Sequence, residues 1–276
     1  MDLRRELDTA VALARRAGEG IRALHGAGIA VDLKHDDSPV TEADRRANAL
    51  IVGELGAAFP GDAILSEELP DDGSRIGRPR VWMVDPLDGT KDFIRGRDGF
   101  SVMIGLLDGA TPALGVVYQP MTDKLYYATR GGGAFLVRGG GAAERIHVSD
   151  VRVASQIRMV ASKSHRSETI DRVRAELGIS DELNVGSVGL KLGLIAEGLR
   201  DLYVNPAGHS KLWDACGPEA ILVEAGGRLT DVRGEPLDYR GRELGNTRGL
   251  IASNGVLHDE VVARLSALFP GGAARG

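Results

Sequence analysis

The chain has 276 residues, 43% hydrophobic and 26% charged, so it can bury a sizeable core as one large domain or two smaller ones. A formal net charge of -5, with basic residues scattered rather than striped, argues against a nucleic-acid polymer as partner. Cys216 is the sole cysteine, which excludes an internal disulfide framework and a thiolate zinc cluster, and no run approaches the roughly twenty apolar residues of a membrane span.

From residue 2 to 24 apolar residues recur at helical spacing (Leu3, Leu7, Val11, Ala14, Ile21, Leu24), ahead of Gly26 and Gly28. This amphipathic start lacks an apolar signal core, so secretion is not expected, and the single cysteine fits a reducing, cytoplasmic setting. A short strand over 31–33 and a polar loop holding Lys34 and His35 lead to Thr41, which caps a second helix with Asp44 at the capping-box position. Strands follow over 63–65 and 80–84. Those over 100–107, 113–118, 125–128 and 134–137 are separated by Gly, Pro and Asp turns and predict an antiparallel sheet. After about residue 150 strand and helix alternate, with helices over 168–177, 190–198 and 214–225 and a last helix near the end. A boundary near Asp150 divides a first half, 1–150, from a second, 151–276.

The segment Trp82-Met83-Val84-Asp85-Pro86-Leu87-Asp88-Gly89-Thr90-Lys91-Asp92-Phe93 ends an apolar run in two acids three residues apart. Pro86 lacks a backbone donor, so a central strand is expected to stop at Asp85. Asp88 then swings back toward the same point, and Gly89 admits a ligand close to the backbone. Free N–H groups over Asp88, Gly89 and Thr90 suit a phosphate, and the carboxylates suit a hard cation. A plain polar turn after a buried strand accounts for the motif alone equally well.

Three further segments place acids at the end of apolar elements: Asp44 in Val40-Thr41-Glu42-Ala43-Asp44, Glu67 in Ile64-Leu65-Ser66-Glu67-Glu68, and Asp214 in Leu212-Trp213-Asp214-Ala215-Cys216-Gly217. Together with the Asp85/Asp88 pair, and in this order along nearly the whole chain, they resemble the inositol monophosphatase superfamily of magnesium-dependent, lithium-sensitive phosphatases. The resemblance implies a layered αβαβα fold, an N-terminal α+β half carrying most metal ligands and a C-terminal α/β half carrying the specificity segments and Asp214. It implies that Glu67, Asp85 and the backbone carbonyl of Leu87 hold one Mg2+, and that Asp85, Asp88 and Asp214 hold a second. A third, weaker ion beside Glu67 would make two or three in all. It further implies that Asp44 and Thr90 orient the attacking water, that the substrate is a small phosphorylated molecule, and that the chain is a homodimer. The alternative for Asp44 is a simple helix cap.

Gly89-Thr90-Lys91-Asp92-Phe93, Ser162-Lys163-Ser164-His165 and Gly186-Ser187-Val188-Gly189-Leu190-Lys191 resemble the 3′(2′),5′-bisphosphate nucleotidase branch. The expected substrate is therefore adenosine 3′,5′-bisphosphate. Gly89, Thr90 and Lys91 would bind it with His165, Ser187 and Lys191, the last three meeting its second phosphate. The extra residue at Val188-Gly189 departs from that branch, so an inositol or other sugar phosphate is the alternative. Ser187 reads equally as a cap and Lys191 as a solvated charge. Glu68 is expected to be a solvated acid, Trp213 and Cys216 packing residues, and Lys34, His35, His209 and Lys211 loop residues near the site. A regulatory binding protein that keeps the fold is the alternative of another class.

Overall fold

The computed structural model describes residues 2–27, 30–34, 38–163, 168–206 and 210–269. Helix α1 (Arg4–Leu24) buries Leu13, Ala14, Ala17 and Ile21 along one face. Strands β1 (Val31–Leu33) and β2 (Pro39–Thr41) pair antiparallel and lead directly into α2 (Glu42–Ala58). Thr41 and Asp44 close the capping box that starts α2. Two of the four orphan donors of that helix end are thereby satisfied within one turn.

Seven strands follow in sheet order β3-β4-β5-β6-β7-β8-β9. They are β3 (Ala63–Ser66), β4 (Arg80–Asp88), β5 (Ser101–Asp108), β6 (Thr111–Gln119), β7 (Lys124–Thr129), β8 (Gly133–Arg138) and β9 (Glu144–Ile146), with the short helix α3 (Thr90–Ile94) between β4 and β5. Only β3 and β4 run parallel. A second sheet, order β11-β10-β12-β14-β13, holds β10 (Arg158–Ser162), β11 (Asp181–Val185), β12 (Leu202–Asn205), β13 (Arg228–Thr230) and β14 (Leu250–Ser253). Its helices are α4 (Glu168–Leu177), α5 (Val188–Ala196), α6 (Leu212–Glu224) and α7 (His258–Leu265).

Strand alternation sorts the core into three layers of contact. Trp82, Val84, Ile104 and Val116 pack against α1 and α2 on the outer face of the large sheet. Met83, Met103 and Val117 point the other way and meet α5 and α6, which in turn touch Tyr203, Leu250 and Ala252 of the small sheet. Met159, Ala161 and Ile251, on the small sheet's far face, meet α4 and α7. The order is helix, sheet, helix, sheet, helix. Both faces of each sheet are covered, which is why its central strands read as unbroken apolar runs rather than alternating ones.

The expectation that the strand stops at Asp85 is corrected by β4, which runs on to Asp88. Its register against β5 shifts between Asp85 and Asp88, so Pro86 sits in a bulge where no ladder donor is required. Helix α6 lies unusually close to the large sheet. A Cβ on Gly115 would fall 2.0 Å from the Gly217 carbonyl oxygen, and one on Gly105 would fall 2.6 Å from Gly217 N. Glycine on both surfaces lets the helix rest on strand backbone, which brings its first turn, with Asp214, to the end of β4. Among the described residues no helix is long and apolar enough to cross a membrane.

Candidate active site

A cavity of about 210 Å3 opens where the two sheets meet. Glu67 enters it from the end of β3, while Asp88, Gly89, Thr90, Lys91 and Asp92 enter from the end of β4 and the start of α3. Lys191 comes from α5, Tyr203, Val204 and Asn205 from β12, and Asp214 from the first turn of α6. Of the residues expected to form the site, the fold thus gathers Glu67, Asp88, Gly89, Thr90, Lys91, Lys191 and Asp214 in one place. Asp44, Asp85 and Leu87 are buried beside it, at 1%, 2% and 1% exposure. His165, His35 and His209 lie outside the described residues.

The acids sense one another. Burial raises the pKa of Asp85, and the charges of Glu67, Asp88 and Asp214 raise it further. Asp214 is raised by burial and then by Asp88 and Glu67, against the Lys211 backbone N–H and Lys191. Burial also raises Asp88, opposed by Lys191, the Ser187 hydroxyl and the backbone of Gly189 and Val188. Carboxylates that oppose one another's ionisation in this way are stabilised by a cation. Among the described residues no three Asp, Glu, His or Cys side chains form a ready-made cage. Magnesium does not require one, since it keeps several waters and takes a few hard oxygen ligands with substrate oxygens completing the set. The oxygen-only donors Glu67, Asp85, Asp88, Asp214 and the Leu87 carbonyl fit that chemistry.

Asp44 does two jobs with two oxygens. Its Oδ2 accepts from Thr41 N at 2.7 Å and Thr41 Oγ1 at 2.6 Å, which is the cap. Its Oδ1 accepts from Thr90 Oγ1 at 3.1 Å, and the same hydroxyl lies 3.1 Å from the Leu87 carbonyl oxygen. The Thr90 proton is therefore directed away from the cavity, leaving lone pairs on Oγ1 to accept. Gly89, at φ 100°, caps α3; a Cβ there would lie 2.8 Å from the Gly99 carbonyl oxygen. Glycine is required by both the backbone angle and the contact.

Lys191 is not a solvated charge. It is 1% exposed, its Nζ donates to the Gly186 carbonyl at 2.8 Å and stands 5.0 Å from the centre of the Tyr203 ring. Burial pushes its pKa down to about 8, against the pull of Asp88, Asp214 and Asp92. Ser187 does not line the cavity; its hydroxyl is spent on Asp88 and on the start of α5. Glu68 departs from the expectation of a solvated acid, because the hairpin of β1 and β2 folds Lys34 onto it. The Lys34 Nζ reaches Glu67 Oε1 and Glu68 Oε1, each at 2.7 Å. Burial works against the Lys34 charge, but the two carboxylates hold its pKa above the ordinary value. Trp213 and Cys216 are core residues, and burial raises the thiol well out of the reactive range.

Asp92 was not singled out by sequence reasoning. It is 2% exposed, lines the cavity, and its Oδ2 accepts no hydrogen bond; the nearest ammonium, on Lys163, is 3.8 Å away. The only signal for it is an acid two residues after Thr90, which reads equally as a solvated position. Tyr203, Val204 and Asn205 gave no signal, because strand-end residues join a site only through the crossing of the sheets.

The sequence profile of the inositol monophosphatase family matches residues 2–268. The chain belongs to that family. Like its relatives it is a phosphatase, and the layered αβαβα architecture is the family's. It is 37% identical over 267 residues to the histidinol-phosphatase of Mycobacterium tuberculosis, covering 95% of this chain and 98% of that protein. It is also 37% identical over 240 residues to the 3′(2′),5′-bisphosphate nucleotidase CysQ of Escherichia coli (strain K12), covering 86% of this chain and 95% of that one. Among solved structures, the IMPase of Thermotoga maritima superposes with a TM-score of 0.79 at 28% identity, covering 96% of this chain and 98% of that one. Equal identity to relatives named for different substrates leaves the choice of substrate to the pocket.

Proposed function

We propose that the chain is a magnesium-dependent phosphomonoesterase that removes the 3′-phosphate of adenosine 3′,5′-bisphosphate. The observation that carries the reading is Lys191, a buried ammonium placed in the same cavity as the acid cluster. A second phosphate on the substrate gives that charge a partner in a site otherwise dominated by acids.

Glu67, Asp85, Asp88, Asp214 and the Leu87 carbonyl would hold magnesium, which supplies positive charge against the phosphoryl oxygens. The chain's own residues do the positioning. Thr90 Oγ1, with its proton turned to Asp44 and Leu87, accepts a hydrogen bond from the attacking water and orients it. Asp44, fixed by two donors from Thr41, keeps the hydroxyl in that orientation. Gly89 lets backbone N–H groups approach the phosphate. Water attack of this kind forms no covalent phospho-enzyme.

Asp92 favours a second reading. Its buried Oδ2 beside the cavity accepts no hydrogen bond, with Lys163 Nζ 3.8 Å away and Arg97 on the other oxygen, and suits a substrate that carries an ammonium, as histidinol phosphate does. Inositol 1-phosphate, whose polyol carries no charge beyond the phosphate to be removed, needs neither Lys191 nor Asp92. The test is phosphate release with Mg2+ from these three substrates, comparing kcat/KM in the wild type and in K191M. The expected result is a preference for the bisphosphate of about tenfold or more that K191M abolishes, the size of one lost charge-assisted contact. A preference for either other substrate, unchanged by K191M, overturns the specificity. No turnover of any of them with Mg2+ would place the substrate outside these three classes.

A further inference from the structure

We infer that Ser187 is a positioning residue for the metal site: its hydroxyl, brought by α5 from the C-terminal half, fixes the Asp88 carboxylate in its ligating orientation. The inference rests on the reading above that Asp88 holds magnesium.

Ser187 is fully buried. Its Oγ lies 2.6 Å from Asp88 Oδ2, 3.1 Å from Leu190 N and 2.8 Å from Ser101 Oγ. A serine hydroxyl has one proton and two acceptor lone pairs. An ionised carboxylate only accepts, so the proton goes to Asp88. An amide N–H only donates, so one lone pair serves Leu190. The remaining lone pair faces Ser101, which must therefore be the donor in that pair. All three valences of the hydroxyl are used, and each partner is itself buried or holds the start of a helix.

The arrangement spans three elements. Asp88 ends β4, Ser101 begins β5 directly opposite it in register, and Ser187 starts α5. Two backbone bonds complete the clamp: Ser187 N donates to the Gly99 carbonyl at 3.0 Å, and Gly189 N donates to Asp88 Oδ2 at 3.2 Å. Without these donors Asp88 would turn from the like charges of Asp85 and Asp214 that surround it. Since α5 also carries Lys191, the same contact ties the metal-binding carboxylate to the cation that meets the substrate's second anion.

The experiment is calorimetric titration of Mg2+ into folded wild-type protein, S187A, S187T, S101A and D88N, with KM for the bisphosphate measured at saturating Mg2+. S187A is expected to weaken Mg2+ on the order of 10- to 100-fold, the usual cost of losing an outer partner of a ligand. S187T, which restores the hydroxyl, and S101A, which leaves the Asp88 contact in place, are expected within about threefold of wild type. KM at saturating Mg2+ should be unchanged in S187A, which a general loosening of the cavity would not allow. If S187A does not fold, S187G removes the same hydroxyl while keeping a tolerated N-cap residue. Wild-type Mg2+ affinity in S187A or S187G, with affinity lost in D88N, overturns the inference and leaves the metal reading intact. Equal weakening in S187T and S187A overturns it too, because the hydroxyl is then not the agent. Undiminished Mg2+ binding in D88N overturns the metal reading itself.

Discussion

Replacing Asp44 with Asn separates the cap from the catalysis. Asp44 is 1% exposed, with Oδ2 on Thr41 and Oδ1 on Thr90. An amide of the same shape keeps its carbonyl oxygen on Thr41 and turns its NH2 toward Thr90. The Thr90 hydroxyl then accepts from the amide and donates only to the Leu87 carbonyl, 3.1 Å away. Burial already raises the Asp44 pKa, despite hydrogen bonds from Thr41 and Thr90, so the carboxylate carries a desolvation cost that the amide avoids. That relief offsets part of the weaker capping, and the net loss of stability is about 1 kcal/mol. In a chain of this size Tm should fall by roughly 2–4 °C. Catalysis suffers far more, because the amide N–H competes with water for the Thr90 lone pairs and the carboxylate charge that made the hydroxyl a better acceptor is gone, and kcat should drop about 10²- to 10⁴-fold. Phosphate release at saturating substrate and Mg2+, read beside thermal melts, measures both. Thr90→Val should lose kcat similarly and Thr90→Ser should keep most of it. Activity in D44N within about tenfold of wild type, with Tm nearly unchanged, would refute the relay. A fall in Tm beyond about 10 °C would place Asp44 in folding rather than chemistry.

Three further outcomes are expected. Lys191 loses its proton as pH rises through about 8, well before an ordinary lysine, so wild-type KM for the bisphosphate should climb above that pH. In K191M it should be high and flat; a wild-type KM constant to pH 9.5 would refute this. His258, fully buried between Ser253 Oγ at 2.8 Å and Thr230 Oγ1 at 2.9 Å, has its pKa pushed down to about 4 by burial. The unfolded state therefore binds the extra proton between about pH 6.5 and 4, and stability should fall as pH drops through that window, by about 3 kcal/mol at most. H258Q should flatten this acid limb in denaturant titrations, and an unchanged limb would assign the loss to other groups. Gly115→Ala drives a methyl into the Gly217 carbonyl, so it should cost about 1–3 kcal/mol or more. Since α6 carries Asp214, the rise in Tm on adding Mg2+ should shrink as well; a full Mg2+ shift would show that the helix absorbs the displacement.

What the sequence made legible was local. The capping box of Thr41 and Asp44 is readable because its partners are three residues apart, and the strands over Phe100–Leu107 are readable because both faces are buried. Pro86 misleads because a bulge is a property of two strands, and nothing in residues 82–88 states how β5 will meet them. The role of Ser187 is hidden for the same reason. The spacing to Leu190 announces a cap, but the carboxylate that takes its proton is 99 residues away. Glu68 reads as a surface acid until the hairpin brings Lys34 over it.

The lysines show how position, not residue type, assigns a charge its task. Lys34 is held by two carboxylates at 2.7 Å each, and its charge is already spent within the fold. Lys191 has no described carboxylate in ion-pair contact; its bond goes to the Gly186 carbonyl, and burial makes its charge costly to keep. Asp88, Asp214 and Asp92 pull on that charge without touching it, so an incoming anion in direct contact adds what they do not. The acids gathered at the same site are in the converse state, each raised by burial. One cavity thus holds a set of acids in need of cations beside a cation in need of an anion. A phosphomonoester carrying a second phosphate, arriving with Mg2+, satisfies both sides at once, whereas a sugar monophosphate, its one phosphate held on the metal side, brings Lys191 no anion of its own. That asymmetry is why the K191M comparison discriminates between substrates more sharply than any change among the acids.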